Sequence, residues 1–169
     1  MAEDTPHLPD TLAVGWSGGA DSTALLLALK ASGRKVHAWH IDHGWRTSSA
    51  DEALALAEQA KQWNIPFISA RLEPASKKNR ENEARQGRYG QFQLWSREQA
   101  IGTLCLGHHR DDQAETVCMR LLQGAGAGGC RGMAAERRMG TMRIVRPLLH
   151  ISGHALRQAL QDLGMAWLD

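Results

Sequence analysis

A short glycine turn near the amino terminus carries side chains and backbone groups suited to binding phosphate. The turn, Ser17-Gly18-Gly19-Ala20-Asp21-Ser22, lies between an apolar run and a helix-forming run. A strand, a glycine turn and a helix start together present backbone N–H groups to an anion, and glycine lets phosphate oxygens approach the main chain. Ser17 and Ser22 add hydroxyl donors, and Ser22 or Asp21 can cap the helix. These residue types predict a phosphate-binding loop.

The loop differs from a Walker loop after its last glycine. A Walker loop has Lys-Ser or Lys-Thr there, whereas this chain has Ala20 and Asp21. A carboxylate beside a polyphosphate is repulsive unless a divalent cation lies between them, so Asp21 implies Mg²⁺. A glycine turn with a capped helix and no ligand remains an alternative, because glycine-rich motifs also occur without ligands.

A second group of chemically active side chains follows an apolar run at residues 103–107. It is His108-His109-Arg110-Asp111-Asp112, with Glu115 and Thr116 shortly after. Asp112 and Glu115 share one helix face by their i,i+3 spacing. Carboxylates at a helix start are explained in part by capping and the helix dipole, but two aspartates beside two histidines exceed that need. We interpret the group as a site for a metal ion or a cationic ligand.

A di-metal hydrolase is a competing hypothesis. His40, Asp42 and His43 supply the second half of a His-x-His-x-Asp-His signature, and His108 with His109 are further candidate ligands for a transition metal. Position 38 is alanine, however, so the first histidine of the signature is missing. This hypothesis also leaves the glycine loop unexplained, and we rank it below nucleotide binding.

Strands and helices alternate along the chain. The apolar patterns predict strands at residues 12–16, 35–42, 65–70, 103–107 and 143–149. Between them the patterns predict helices ending near 32 and spanning 50–63, 79–100, 111–123 and 152–163. This order predicts an α/β fold: a Rossmann-like parallel sheet with helices on both faces. Ligands in such folds bind at the carboxyl ends of strands where the winding reverses, so we expect Ser17, His40–His43 and Gly107–Asp112 to line one crevice.

The bulk composition is that of an ordinary globular domain. The 169 residues are 43% hydrophobic, which allows one domain with a substantial core. No apolar stretch approaches the roughly 20 residues that span a bilayer, and the acidic start lacks the features of a signal peptide. Cys105, Cys118 and Cys130 form no Cys-x-x-Cys pair. We therefore expect a cytoplasmic protein with reduced thiols.

Basic residues gather in two segments, although a net charge of +2 is too small to imply a nucleic acid partner. The first segment holds Lys77, Lys78, Arg80, Arg85, Arg88 and Arg97. The second holds Arg131, Arg137, Arg138, Arg143 and Arg146. Such clusters can neutralise phosphates, but solvated faces are the commoner explanation.

Five ordered blocks resemble the tRNA(Ile)-lysidine synthetase family within the PP-loop ATP pyrophosphatases. The blocks are Ser17–Ser22; residues 40–46; Asn79, Glu81, Ala84, Arg85, Arg88 and Tyr89; residues 107–116 with 120–124 and Gly126; and Arg146-Pro147-Leu148-Leu149 with Gly164 and Trp167. The resemblance implies a PP-loop ATP-binding catalytic domain at 11–169 after a flexible lead-in at 1–10. Family members continue into tRNA-binding domains that we expect to be absent here.

The resemblance implies a two-step ligase reaction. ATP activates the C2 oxygen of the wobble cytidine in isoleucine tRNA as an adenylate, releasing pyrophosphate, and the ε-amine of free lysine then displaces AMP. It implies ATP binding by Ser17, Gly18, Gly19, Ala20, Asp21, Ser22, His40, Gly107 and His108, and Mg²⁺ binding by Asp21 and Asp112. It implies catalytic roles for Asp21, Arg85, Arg88, Asp111, Asp112 and Glu115, with carboxylates for the lysine ammonium and arginines for phosphate charge.

Two alternatives with the same loop stay open. A tRNA thiolation enzyme would normally need paired or sulfur-carrying cysteines, and the three cysteines show no such pairing. A non-catalytic nucleotide-binding module would bind ATP without turning it over. The partners expected for the ligase are isoleucine tRNA and free lysine, and a homodimer is an option that the sequence leaves open.

Overall fold

The structure, a computed structural model, describes residues 7–42, 49–72, 80–126 and 128–168. Within these ranges the strands are β1 (Thr11–Gly15), β2 (Lys35–Asp42), β3 (Phe67–Arg71), β4 (Thr103–Leu106), β5 (Glu136–Met139) and β6 (Met142–Val145). The α-helices are α1 (Ala20–Ala31), α2 (Ser49–Gln62), α3 (Arg80–Glu98), α4 (Arg110–Leu122) and α5 (Gly153–Asp162). The predicted alternation is confirmed, and β5 is an addition to it.

The strands form one sheet in the order β3-β2-β1-β4-β6-β5. All neighbouring pairs are parallel except β5 with β6. The winding direction reverses between β1 and β4, where Gly15 lies opposite Leu106. The Rossmann-like α/β class is therefore confirmed, and the loops after β1 and β4 meet at the position where such sheets bind ligands.

Strand β5 was not predicted from the sequence. Three of its four residues are charged, and such residues are rare in strands. It forms a hairpin with β6 through a two-residue loop that starts at Gly140, whose φ is 58°. The pairing places Arg137 opposite Ile144, near the carboxyl end of β6.

The two faces of the sheet bury separate cores, because neighbouring residues of a strand point to opposite sides. Leu12 and Val14 of β1 join a core covered by α1, α2 and α5. Ala13 joins the other core, which α3 covers with Tyr89, Phe92 and Trp95. The rings of α3 pack on one another and on Trp39 of β2, with centroid distances of 5.8 to 6.4 Å. This packing fixes α3 above β2, β1 and β4.

Helix α4 is attached differently from the others, since it contains no buried residue. Contacts near its first turn hold it in place: Asp111 accepts a hydrogen bond from the α5 backbone, and Gln113 is bonded to the Met133 backbone. The amino end of α4 is therefore anchored beside the crevice while much of the helix faces solvent. None of the described helices is long and apolar enough to cross a membrane.

Candidate functional site

The glycine loop is closed by its own serine hydroxyls. The Ser22 hydroxyl accepts the Ser17 N–H at 3.2 Å, donates to the Gly19 carbonyl at 3.1 Å and lies 3.0 Å from the Ser17 hydroxyl. The prediction that Ser22 or Asp21 caps α1 is wrong, because the N-cap is Gly19 and no side chain caps the helix. Ser22 instead lies in the first turn, with its hydroxyl directed back at the loop. The uncapped amino end of α1 suits an anionic ligand.

Buried contacts hold the loop from below. Gly18 has a φ of 91°, a conformation that favours glycine. Its carbonyl accepts hydrogen bonds from the Thr23 hydroxyl at 3.2 Å and from the Leu168 N–H at 2.9 Å. The Trp16 indole in turn donates to the Thr23 hydroxyl at 2.9 Å. The loop is thus preorganised by groups on both sides of it.

Gly107 brings the end of β4 against the loop. A Cβ atom at this position would lie 3.0 Å from the Ser22 nitrogen and 3.1 Å from the carbonyl carbon and oxygen of Asp21. These neighbours are backbone atoms and cannot rotate away. Glycine is therefore required for the close approach, which places this predicted nucleotide-binding residue beside the first turn of α1.

His109 joins the loop to α4. Its Nε2 atom lies 3.4 Å from Asp21 Oδ2 and 3.6 Å from Asp112 Oδ2. Its Nδ1 atom accepts the Asp111 N–H at 3.2 Å, so Nε2 is the ring nitrogen that can donate to the two carboxylates. The residue pattern predicted His109 only as a candidate metal ligand, and this positioning role was not predicted. The capping of α4 by His109 had a sequence signal, because a polar residue followed by an acidic one three positions later resembles a capping box, but the contact with Asp21 had none.

The two carboxylates proposed to bind Mg²⁺, those of Asp21 and Asp112, both approach the Nε2 atom of His109. Asp21 also has a buried Oδ1 atom with no hydrogen-bond partner among the described residues. Mg²⁺ in nucleotide sites is usually bound by one or two carboxylates, waters and substrate phosphates. Asp21 and Asp112 fit that pattern. Within the described ranges no three His, Cys, Asp or Glu side chains are grouped to hold a metal alone, and His43 of the hydrolase hypothesis lies outside those ranges.

The other two predicted acids have different environments. Asp111 accepts the Gly153 N–H at 2.9 Å, which ties α4 to the start of α5. Asp111 nevertheless keeps about half of its side chain exposed, at 51%. Glu115 is exposed one turn further along α4. Both carboxylates are therefore accessible to a cationic ligand from the α4 side of the crevice.

The His40 side chain is buried in the core of the domain. It lies within β2 with 7% of the residue exposed, its Nδ1 atom is 2.9 Å from the Trp16 carbonyl oxygen, and its ring stacks on Phe67 at 6.2 Å. A role in binding adenine would thus fall to the backbone near His40, as predicted, and this role remains a prediction.

Arg85 and Arg88 lie on α3, shortly before Tyr89 in the sequence. Their guanidinium carbons lie 6.0 and 5.8 Å from the centroid of the buried Tyr89 ring. His108 lies within their electrostatic reach and within that of Asp112. Burial, with a smaller contribution from Arg146, Arg88 and Arg85, lowers the pKa of His108 to about 4, although the Asp112 carboxylate acts in the opposite direction. His108 is therefore neutral at physiological pH, and both the arginines and Asp112 lie near enough to influence it.

The fold and this loop define a nucleotide-binding α/β domain. The PP-loop domain family matches residues 3–169, and the chain belongs to that family. The match supports ATP as a substrate.

Curated relatives are tRNA-modifying enzymes. The chain is 42% identical over 149 residues to a tRNA(Ile)-lysidine synthase of Chlamydia trachomatis, covering 86% of this chain and 46% of the relative. It is 40% identical over 155 residues to the enzyme of that name from Chlamydia pneumoniae, covering 90% and 49%. The chain thus spans about half the length of these relatives.

Solved structures share the fold at lower identity. The tRNA thiolase NcsA of Methanococcus maripaludis, solved with its iron–sulfur cluster, superimposes with a TM-score of 0.77 at 18% identity, covering 94% of this chain and 59% of that one. A predicted tRNA methyltransferase subunit of Methanocaldococcus jannaschii gives a TM-score of 0.53 at 20% identity, covering 89% and 75%. These likenesses concern the fold alone.

Proposed function

We propose that this chain is the ATP-dependent catalytic domain of a ligase that attaches lysine to the wobble cytidine of isoleucine tRNA. The observation that carries the proposal is the 42% identity over 149 residues to an enzyme named for lysidine formation. The arrangement of the crevice agrees with it, because a phosphate loop, paired carboxylates and arginines meet at the sheet's switch point.

The loop side would bind the nucleotide. The backbone of Ser17–Ser22 and the uncapped start of α1 offer N–H groups to the ATP phosphates. Asp21 and Asp112 would hold Mg²⁺, which when bound screens the phosphate charge from the carboxylates. His109 keeps Asp21 and Asp112 within reach of each other by contacting both. A metal shared with the phosphates would also supply a partner for the buried Oδ1 atom of Asp21.

The remaining residues would act on the acceptor and on lysine. Adenylation of the cytidine C2 oxygen leaves a phosphate ester whose negative charge Arg85 and Arg88 would stabilise. Asp111, Asp112 and Glu115 would attract and orient the amino group of lysine before it displaces AMP. His108, being neutral, would offer hydrogen bonds to the substrates without adding charge to the site.

The cysteines do not favour the thiolation alternative. Cys105 is fully buried, and burial raises the pKa of its thiol to about 12, which suppresses the reactive thiolate. Cys118 is exposed on α4 and Cys130 is half-buried. In the part of the chain that the structure describes, the cysteines are not grouped with other residues that bind metals.

Lysine transfer to isoleucine tRNA, measured with radiolabelled lysine, and ATP–pyrophosphate exchange test the proposal together. We expect both activities, and we expect Asp21→Asn to weaken Mg²⁺·ATP binding in calorimetry by about 1–3 kcal/mol, since a charged contact to a shared cation is lost. The control is Asp162→Asn at the carboxyl end of α5, one helix length from the crevice.

The outcomes separate the hypotheses. ATP binding without exchange or lysine transfer would support the non-catalytic module instead. Loss of ATP turnover on replacing all three cysteines by alanine would favour thiolation. Stoichiometric bound zinc or iron on elemental analysis would favour the di-metal hydrolase. The cytoplasmic location and the homodimer remain predictions that these assays do not address.

A further inference from the structure

The two basic segments of the sequence converge on one aromatic ring. Arg85 and Arg88 approach Tyr89 from α3, and Arg137 of β5 lies closer still, with its guanidinium carbon 4.7 Å from the ring centroid. Arg146, directly after β6, also lies beside the Tyr89 side chain. Four guanidinium groups therefore surround one buried tyrosine. We call Arg85, Arg88, Arg137 and Arg146 the arginine cluster.

Several nitrogen atoms of this cluster are buried without a partner. Arg146 has only 5% of its surface exposed, and its Nη1 atom donates to the Ala134 carbonyl at 2.7 Å. Its Nε atom, and the Nε and Nη2 atoms of Arg137, have no hydrogen-bond partner among the described residues. Buried charged donors are normally satisfied. These donors are therefore available to an anionic ligand.

A cleft beside the cluster opens to the surface between α3 and β5. It has a volume of about 310 Å³ and is lined by Asn82, Arg85, Gln86, Tyr89, Gly90, Gln93, Arg137 and Met139. The amides of Asn82, Gln86 and Gln93 add uncharged hydrogen-bonding groups. Such a mixture of arginine and amide side chains is typical of contacts to the sugar–phosphate backbone of a nucleic acid.

We propose that Arg137 and Arg146 form a binding site for a phosphodiester group of the RNA substrate. This inference rests on the proposed function, because RNA is the substrate assumed. The position favours RNA over the nucleotide for two reasons. The glycine loop and the start of α1 already offer a site to the ATP phosphates. The cleft is lined by Arg137 and Met139 of β5, so a polymer could continue along that strand.

Arg137 is the residue to test, because Arg146 is buried and Arg88 has already been assigned to the reaction. Arg137→Gln removes the charge and the guanidinium fork but keeps a polar side chain of similar length. The matched control is Arg138→Gln, since Arg138 is the next residue of β5, is exposed and points to the opposite face of the sheet. Both proteins would be compared with the unsubstituted chain by thermal melting first.

The assay is fluorescence anisotropy with a labelled anticodon stem-loop of isoleucine tRNA over a series of salt concentrations. We expect Arg137→Gln to bind about tenfold more weakly and to lower the salt slope by about one. Arg138→Gln should stay within about twofold of the unsubstituted chain. Arg137→Lys should keep the salt slope but lose part of the affinity, because lysine cannot make the bidentate contact. If the melting temperature of Arg137→Gln is lowered, the RNA affinity and salt slope of Arg137→Lys decide whether the inference stands.

Two results would overturn the inference. One is RNA affinity and salt slope in Arg137→Gln that match those of Arg138→Gln. The other is a loss of Mg²⁺·ATP affinity in Arg137→Gln as large as the loss for RNA, which would assign the cluster to the nucleotide. Neither measurement requires turnover. Failure of the unsubstituted chain to transfer lysine would therefore refute the proposed function separately.

Discussion

Replacing Gly107 by alanine tests whether β4 positions the phosphate loop. The new methyl group would lie 3.0 to 3.1 Å from backbone atoms of Asp21 and Ser22, several tenths of an ångström closer than ordinary contact. Because no side chain can rotate to relieve this contact, the first turn of α1 must move away from β4. The loop described above would then lose its alignment with the amino end of that helix.

The expected change in the free energy of unfolding of Gly107→Ala is the sum of two opposing effects. Overpacking by one methyl group costs about 1–3 kcal/mol, and the stiffer unfolded chain returns about 0.4–1 kcal/mol. We therefore expect Gly107→Ala to lose about 1–2 kcal/mol of unfolding free energy, or about 2–8 °C in melting temperature for a domain of this size. Displacement of the α1 backbone should also weaken ATP binding about fivefold, equivalent to about 1 kcal/mol.

Gly102 offers a matched control at the other end of the same strand. A Cβ atom there meets nothing within 4 Å, so Gly102→Ala should be neutral or slightly stabilising. Calorimetric melting and ATP titration of both variants make the comparison. Equal stability and equal ATP affinity of the two variants would refute the claim that Gly107 is required for close approach to the loop.

Three further predictions follow from burial and helix geometry. Gly90→Ala, in an open position on α3, should raise the melting temperature by about 2–4 °C because alanine favours helix by about 1 kcal/mol; a lower value would show that the position is constrained. In the folded chain the pKa of His108 is lowered from 6.5 to about 4. As the pH drops, the unfolded chain therefore binds the proton at a higher pH than the folded chain does. The free energy of unfolding should fall between pH 6.5 and pH 4, by at most about 3 kcal/mol. In urea unfolding, His108→Gln should lose this part of the pH dependence, and an unchanged profile would contradict the assignment. Thiol labelling at pH 8 followed by mass spectrometry should modify exposed Cys118 well before Cys105, whose pKa burial raises to about 12, and equal labelling rates would contradict that burial.

The sequence was sufficient for the parts of the fold that rest on local pattern. The apolar runs, and the glycines that mark their ends, predicted the order of strands and helices. The glycine turn after β1 predicted the position of the loop. The crevice formed by the ends of β1 and β4 followed from the topological rule for parallel sheets. These features depend on residues close together in the chain, where periodicity is informative.

Other features depend on contacts between distant residues, which the pattern does not contain. Strand β5 is stabilised by pairing with β6 despite its charged residues, so its local propensity gave no signal. That pairing brings Arg137 to Tyr89, although 48 positions separate them in the sequence. The role of His109 likewise depends on its contact with Asp21, which forms only when β1 and β4 pair in the folded sheet.

The hydrogen bond from Leu168 to Gly18 has a practical consequence for handling the protein. The last described residues lie against the glycine turn, where Leu168 also packs near the Gly18 backbone, and Gln59 of α2 holds the Ala166 carbonyl at 3.2 Å. Shortening the chain before Leu168 would remove this support from the turn. Protein prepared for nucleotide titrations should therefore retain residues 166–168.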